Sequence, residues 1–234
     1  MKKQALLTAV SLVAPMIMGS AGVFADTSTP TSASTNVNAT FATPETDTNN
    51  PTPNNPSTGV DPDQPDDNTN LPLNPSANFA LAYVPNNLNF GTINLPAQGS
   101  VEQAITLTNN KTLNVGVKDT QHNKAGWTLN AKLTGDLATA GAKITTTTTA
   151  AKVYDKDGAL QPLATPSMIT VTQGAQIGSV DQLIMQGNQG NVFSGTYDLD
   201  LGTVKLSIPD VSKVDVSQSS GLITWNLSQT PTSN

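Results

Sequence analysis

Gly126-Trp127-Thr128-Leu129-Asn130-Ala131-Lys132-Leu133 alternates apolar and polar side chains without a break. Successive side chains of an extended chain point to opposite faces, so Trp127, Leu129, Ala131 and Leu133 share one face and Thr128, Asn130 and Lys132 the other. This is the pattern of a half-buried strand. Working outward, the same period recurs on both sides. Upstream, Ala104-Ile105-Thr106-Leu107-Thr108 leads through Asn109-Asn110 to Leu113-Asn114-Val115-Gly116-Val117, which reads as two strands about a turn. Downstream, a run from Ile144 through consecutive threonines to Val153 ends in the turn Asp155-Lys156-Asp157-Gly158, and 168–172, 191–197, 203–208 and 222–227 read as further strands. No long stretch carries a helical apolar stripe. About eight to ten short strands at turn-bounded intervals predict an all-β domain over residues 78–234, a β-sandwich of Ig-like or related type.

The N-terminus has a different character. Lys2 and Lys3 precede an apolar run over 5–19, and Val23-Phe24-Ala25 offers small residues at the −3 and −1 positions of a cleavage site. Residues 1–25 therefore read as a signal peptide cut after Ala25, which predicts export. The run falls short of the roughly 20 apolar residues that span a bilayer and is interrupted by Pro15 and Gly19. Residues 26–77 are rich in Thr, Asn, Pro, Asp and Ser, with seven acids and no Lys. So few apolar side chains cannot offset the entropy of ordering, and the segment reads as a disordered acidic linker, either a stalk that lifts the domain off a surface or a tail without a specific role.

Composition excludes several functions. All eleven basic residues are Lys, and nine of them stand against ten acids in 78–234. Counterion-release binding to nucleic acid needs clustered Lys and Arg, which the chain lacks. So acidic a protein is not drawn electrostatically to anionic polymers, and any binding to one must rest on hydrogen bonding, stacking and shape. The chain has no cysteine, so an exported form depends on its core alone. The single histidine, His122, lies among polar residues with no nucleophile motif nearby, and the clusters that zinc needs are absent. The only glutamates are Glu45, in the linker, and Glu102, so the folded part offers no glutamate pair for glycoside hydrolysis. Asp155 and Asp157, like Asp198 and Asp200, read as turn chemistry and solvated faces, and the Asp155 turn lacks the distal Glu of a calcium loop. The reading is a protein that is not an enzyme and carries no cofactor or metal.

The only two tryptophans occupy matching contexts, Gly126-Trp127-Thr128-Leu129 and Thr224-Trp225-Asn226-Leu227. This pair resembles the WxL domain of Gram-positive cell-surface proteins, which carries two such motifs, the second near the C-terminus. Val84-Pro85 followed by Phe90-Gly91-Thr92 resembles the family's opening, Val117-Lys118-Asp119-Thr120 the stretch before its first motif, Val204-Lys205-Leu206-Ser207-Ile208-Pro209 its penultimate strand, and Trp225 through Pro231 its ending. The resemblance covers roughly residues 75–234. The chain departs from the family where an Arg-Gly often follows the Asp-Thr, here Gln121 and His122, and where a Gly-Thr-Tyr often precedes the last motif, here Ser219-Ser220-Gly221. The resemblance implies non-covalent attachment to peptidoglycan, display on the cell surface, and association with other wall proteins. The sequence contains no Leu-Pro-x-Thr-Gly sorting signal, which gives the same expectation of non-covalent retention.

Within the motifs, Trp127 and Leu129 share a face, as do Ile223, Trp225 and Leu227. A Leu or Ile beside Trp on one face reads first as core, with each indole N–H needing a buried acceptor. The alternative is that an exposed Trp stacks on a glycan ring. Likewise two roles stay open for the domain: a wall-binding module, or an adhesin or assembly subunit whose strand edges bind another wall-associated or host protein.

Overall fold

The computed structural model describes residues 35–57, 68–107, 110–215 and 219–229; the expected signal peptide at 1–25 lies outside the described residues. The chain separates into residues 1–41 and a unit spanning 42–234. Within the former, residues 35–41 have no regular secondary structure and are exposed, Val37 and Phe41 included.

The described part of the second unit is built of fourteen strands: β1 (Asn70–Pro72), β2 (Phe79–Pro85), β3 (Val101–Ala104), β4 (Asn114–Asp119), β5 (Trp127–Gly135), β6 (Lys143–Thr146), β7 (Lys152–Tyr154), β8 (Leu160–Pro162), β9 (Ile169–Val171), β10 (Gln176–Ile177), β11 (Gln182–Gly187), β12 (Gly195–Asp200), β13 (Val204–Ile208) and β14 (Gly221–Gln229). One helical turn, α1 (Asp136–Thr139), follows β5. The all-β expectation holds. The strands form three antiparallel sheets, ordered β1-β2-β4-β12-β7-β8, β10-β6-β13-β3 and β14-β5-β11-β9. All three contribute to one core, in which Val115, Val117, Tyr197 and Leu199 of the first sheet join Ile144, Val204 and Leu206 of the second and Trp127, Leu129 and Met185 of the third.

Two local readings are corrected. The 104–108 and 113–117 runs do not form a hairpin: β3 pairs with β13, whereas β4 lies between β2 and β12 in another sheet. The threonine run is not one strand either, because β6 ends at Thr146 and β7 begins at Lys152 in a different sheet. Alternation placed β4 within the 113–117 run, but β3 ends at Ala104, where the first expected strand begins, and residues 147–151 belong to no strand; period-2 patterning also carries no information about which sheet a strand joins.

Residues upstream of 78 also meet the first sheet, in which Asn70–Pro72 form β1. Residues 44–57 lie along the first sheet as a strap. Pro56 makes a parallel bridge to Asn70 on the edge strand β1, Asn54 Nδ2 donates to Thr112 Oγ1 at 2.6 Å, the Tyr154 hydroxyl donates to Thr52 O at 3.3 Å, and Asn78 Nδ2 donates to Pro44 O at 2.6 Å. Hydrogen bonding, not apolar burial, holds this stretch; among residues 44–57 only Pro53 and Asn55 are buried.

Candidate functional site

β5 and β14 pair in unbroken register from Gly135 opposite Gly221 to Trp127 opposite Gln229. That register sets the two Trp-x-Leu segments on neighbouring strands: Leu129 faces Leu227, and Trp225 faces Ala131. Directly opposed residues project from the same face, so Trp127, Leu129, Trp225 and Leu227 all point to the core side of the third sheet.

The two tryptophans end in different surroundings because β5 is an inner strand and β14 an edge strand. Trp127 is completely buried. It stands opposite Gly187 of β11, where a Cβ would lie 2.4 Å from the indole Cε2, so the ring occupies the space that any larger residue at 187 would need. The Tyr197 ring packs against it at 5.9 Å with a 48° tilt. The Trp127 Nε1–H makes no hydrogen bond of regular geometry, yet the Asp119 carboxylate feels it: burial pushes the Asp119 pKa up, opposed by the Gln121 N–H, the Trp127 indole and His122. Trp225 and Leu227, by contrast, are only half-buried.

Trp225 borders an open cleft of about 310 Å³, walled by Ile223 and Leu222 of β14 and by Pro85, Asn87, Leu88 and Phe90 from the end of β2 and the loop after it. Asn86 and Asn87 line this cleft together with the aromatic residues Trp225 and Phe90. Carboxamides offer donors and acceptors, and an indole face accepts the apolar face of a ring. None of the residues that line it is titratable.

The outer face of the first sheet is polar and buried. A bulge between Leu81 and Tyr83 in the β2–β4 pairing turns Tyr83 to the face opposite Leu81 and sets it across from Gly116. Its ring covers Gly116, where a Cβ would sit 2.4 Å from Tyr83 Cζ. The Tyr83 hydroxyl donates to Asp198 Oδ1 at 2.7 Å, and Asn114 Nδ2 donates to both Asp198 oxygens at 3.0 and 3.1 Å. Asn70 Oδ1 accepts from the Asn114 amide at 2.8 Å. Beside this network the Lys118 ammonium, wholly buried, donates to Asp47 O, to Asn50 Oδ1 at 3.3 Å and to Pro75 O at 3.1 Å.

Burial raises the Asp198 pKa above the ordinary 3.8, against the lowering effect of the Tyr83 and Asn114 hydrogen bonds. An acid with a raised folded-state pKa is equally protonated in both states at low pH, and its ionisation penalises only the folded state as pH rises. Asp198 therefore contributes a loss of stability that begins near pH 3.8 and is complete above its folded-state pKa. The expected result is that the melting temperature of wild type minus that of Asp198→Asn declines from pH 3 to pH 7. A difference that does not change with pH would remove Asp198 as the titrating group.

The other sequence candidates are not brought to this region as a constellation. His122 is exposed and meets the Phe193 ring edge-on at 5.0 Å. Asp155 Oδ1 accepts the Asp157 and Ala159 amides, closing its own turn. No group of three or more potential metal ligands exists among the described residues. The cleft residues Asn86, Asn87 and Phe90, and the buried set Asn70, Lys118 and Asp198, were not singled out as a site from sequence. Asn114, Gly116 and Lys118 alternate with valines, which reads as a solvated face unless the strap that covers it is known.

A family model described as WxL domain, surface cell wall-binding, matches residues 28–231, so the match takes in the strap and begins well before the point at which the resemblance to that family begins. Comparison with curated proteins and with solved structures gives no match.

Proposed function

The chain belongs to the WxL domain family of surface cell wall-binding proteins, and from that premise we propose that it is an exported, non-catalytic protein held non-covalently on peptidoglycan. The cleft beside Trp225 is the place where the wall glycan makes contact. The observation that supports this location is the asymmetry of the two motifs: Trp127 is sealed in the core, whereas Trp225 reaches a cleft lined by a second aromatic residue and two asparagines. Sugars are bound by this combination of aromatic face and neutral donors and acceptors, and it requires no positive charge.

Co-sedimentation with washed Gram-positive sacculi tests the proposal. Protein spanning 26–234 is expected to pellet with the walls and to be released by denaturant without wall hydrolysis. Trp225→Ala is expected to weaken binding about tenfold, the equivalent of roughly 1.4 kcal/mol for one anchor residue. Thr224→Ala, an exposed neighbour on the other face of β14, is expected to bind as wild type. Wild-type pelleting that Trp225→Ala leaves unchanged would move the contact away from the cleft. Full recovery of wild type in the supernatant would reject wall binding itself, and soluble muropeptides in the supernatant would reject the non-catalytic reading.

A further inference from the structure

The strap at 44–57 occupies a groove whose walls come from residues distant in sequence. Lys118 of β4, wholly buried, finds its partners in the strap and in the connection between β1 and β2: Asp47 O, Asn50 Oδ1 and Pro75 O, with the Asp47 carboxylate at 3.6 Å. Asn70 Nδ2 donates to Asn54 O and, at 3.1 Å, to Thr112 O, so one buried side chain ties the strap to the segment entering β4. The Asn70 amide donates to Asn55 O at 2.8 Å, and the Asp47 amide donates to Ser76 O at 2.8 Å. The groove thus reads backbone carbonyls and Asn side chains of an extended Pro- and Asn-rich segment. The only buried strap side chains are Pro53 and Asn55.

Two consequences follow from this chemistry. An element held by hydrogen bonds with little apolar burial opens at a small fraction of the cost of global unfolding. Once open, its groove presents a buried-type ammonium and an unfilled row of donors and acceptors, for which the best-matched occupant is the same segment on another molecule. The tether permits this. Ten residues, 58–67, join Ser57 to Asn68, and a chain of that length bridges at most about 35 Å. The cis arrangement needs much less, because Asn55 Nδ2 already touches Asn68 O at 2.7 Å.

We propose that the groove formed by Lys118, Asn70 and Thr112 is an interaction surface for the strap of a second copy of this chain, so that two copies exchange residues 44–57 reciprocally. Every contact of the closed form is reproduced in the exchanged pair, and the difference in free energy reduces to association entropy and tether strain. A tether of this length gives the cis strap an effective concentration in the millimolar range. Single molecules in dilute solution therefore close on themselves, and exchange grows as copies are crowded. The inference does not rest on wall binding, since it concerns the chain in solution.

The absence of cysteine gives a clean test in the full chain. Asn54 and Thr112 hydrogen-bond across the strap–groove contact at 2.6 Å. Asn54→Cys and Thr112→Cys are made in separate chains with different tags, mixed over a range of concentrations, and joined with a short bismaleimide. The expected result is a doubly tagged covalent dimer through positions 54 and 112 that increases with protein concentration and falls when excess synthetic peptide 42–57 is present. The chain carrying both substitutions is expected to close within itself at low concentration. If that chain closes but the mixed single variants give no doubly tagged dimer at any concentration, exchange is overturned. If the double variant does not close, the strap does not occupy the groove and the proposal fails with it.

Discussion

Replacing Trp127 with Ala lowers the stability of the folded unit by about 4 kcal/mol, the middle of the range of roughly 3–5 kcal/mol for aromatic-to-Ala changes in cores. The argument is geometric. Trp127 has no exposed surface, sits on an inner strand, and touches Tyr197 and the Gly187 backbone. β5 is pinned on both sides, to β14 and β11, so the walls of the cavity cannot collapse inward far enough to refill it. Trp127→Phe behaves differently. It removes part of the ring but also removes an indole N–H that lacks a regular partner, and leaving a buried donor unsatisfied itself costs about 1–3 kcal/mol. The two effects oppose, and the expected loss for Phe is about 1 kcal/mol. Gly187→Ala is expected to be destabilising by more than about 2 kcal/mol, because the new methyl would fall 2.4 Å from both Cε2 and Nε1 of a ring with nowhere to go. Combining Gly187→Ala with Trp127→Phe is expected to recover part of that loss, since the smaller ring vacates space on the glycine side. Denaturant unfolding of the four variants measures all of these. A Trp127→Ala protein that keeps wild-type stability while losing sacculus binding would place the indole at the ligand instead of in the core.

The same residues show what the sequence could and could not convey. Alternation over 127–133 put Trp127, Leu129, Ala131 and Leu133 on one face, and all four are buried. It also put Trp225 with Ile223 and Leu227, and these do share the inward face. What alternation could not reveal is that β14 takes the edge position, and it is the edge that separates a sealed Trp127 from a Trp225 open to a cleft. Strand pairing is almost entirely non-local; among the described residues only β1–β2 and β7–β8 join consecutive strands. No short-range pattern encodes such partners, which is why the hairpin expected around Asn109-Asn110 dissolves into two sheets. The strap was illegible for another reason. Its composition is that of a disordered segment, and the inference from low apolar content to disorder holds only when no folded surface offers hydrogen bonds in compensation. Here Lys118, Asn70 and Thr112 offer them, and each was itself ambiguous in sequence because its burial depends on the strap. Two features that explain each other are individually invisible to a reading that takes one segment at a time.

That mutual dependence makes Lys118→Met the most informative change on the first sheet. Methionine retains the apolar stem but not the ammonium, so packing along β4 is kept while the donors to Asp47 O, Asn50 Oδ1 and Pro75 O disappear. Removing one partner of a buried charged cluster costs up to about 3–5 kcal/mol. The side chain of Asp47 keeps partial access to water, which reduces the figure to about 2–3 kcal/mol. The loss falls on the element with the fewest other attachments. The Asp47 amide, which donates to Ser76 O, is expected to exchange its hydrogen about a hundredfold faster, the equivalent of roughly 2.7 kcal/mol. Amides of β5 are expected to change little, because their protection is set by the core that Lys118 does not enter. Acidification works in the same direction. Burial tends to raise the Asp47 pKa, but the Asn49 amide, Thr120 and Lys118 together hold it below the ordinary value. A carboxylate with a depressed folded-state pKa stabilises above its unfolded pKa, and that contribution is lost as pH falls through the folded-state value. Strap protection in wild type is therefore expected to decline below about pH 4, once intrinsic exchange rates are corrected for pH, and to decline less in Lys118→Met, where one of the groups that depresses Asp47 is gone. If the β5 amides accelerate as much as that of Asp47, the strap is not a separately opening element but part of the cooperative core, and its release would then require unfolding the whole unit.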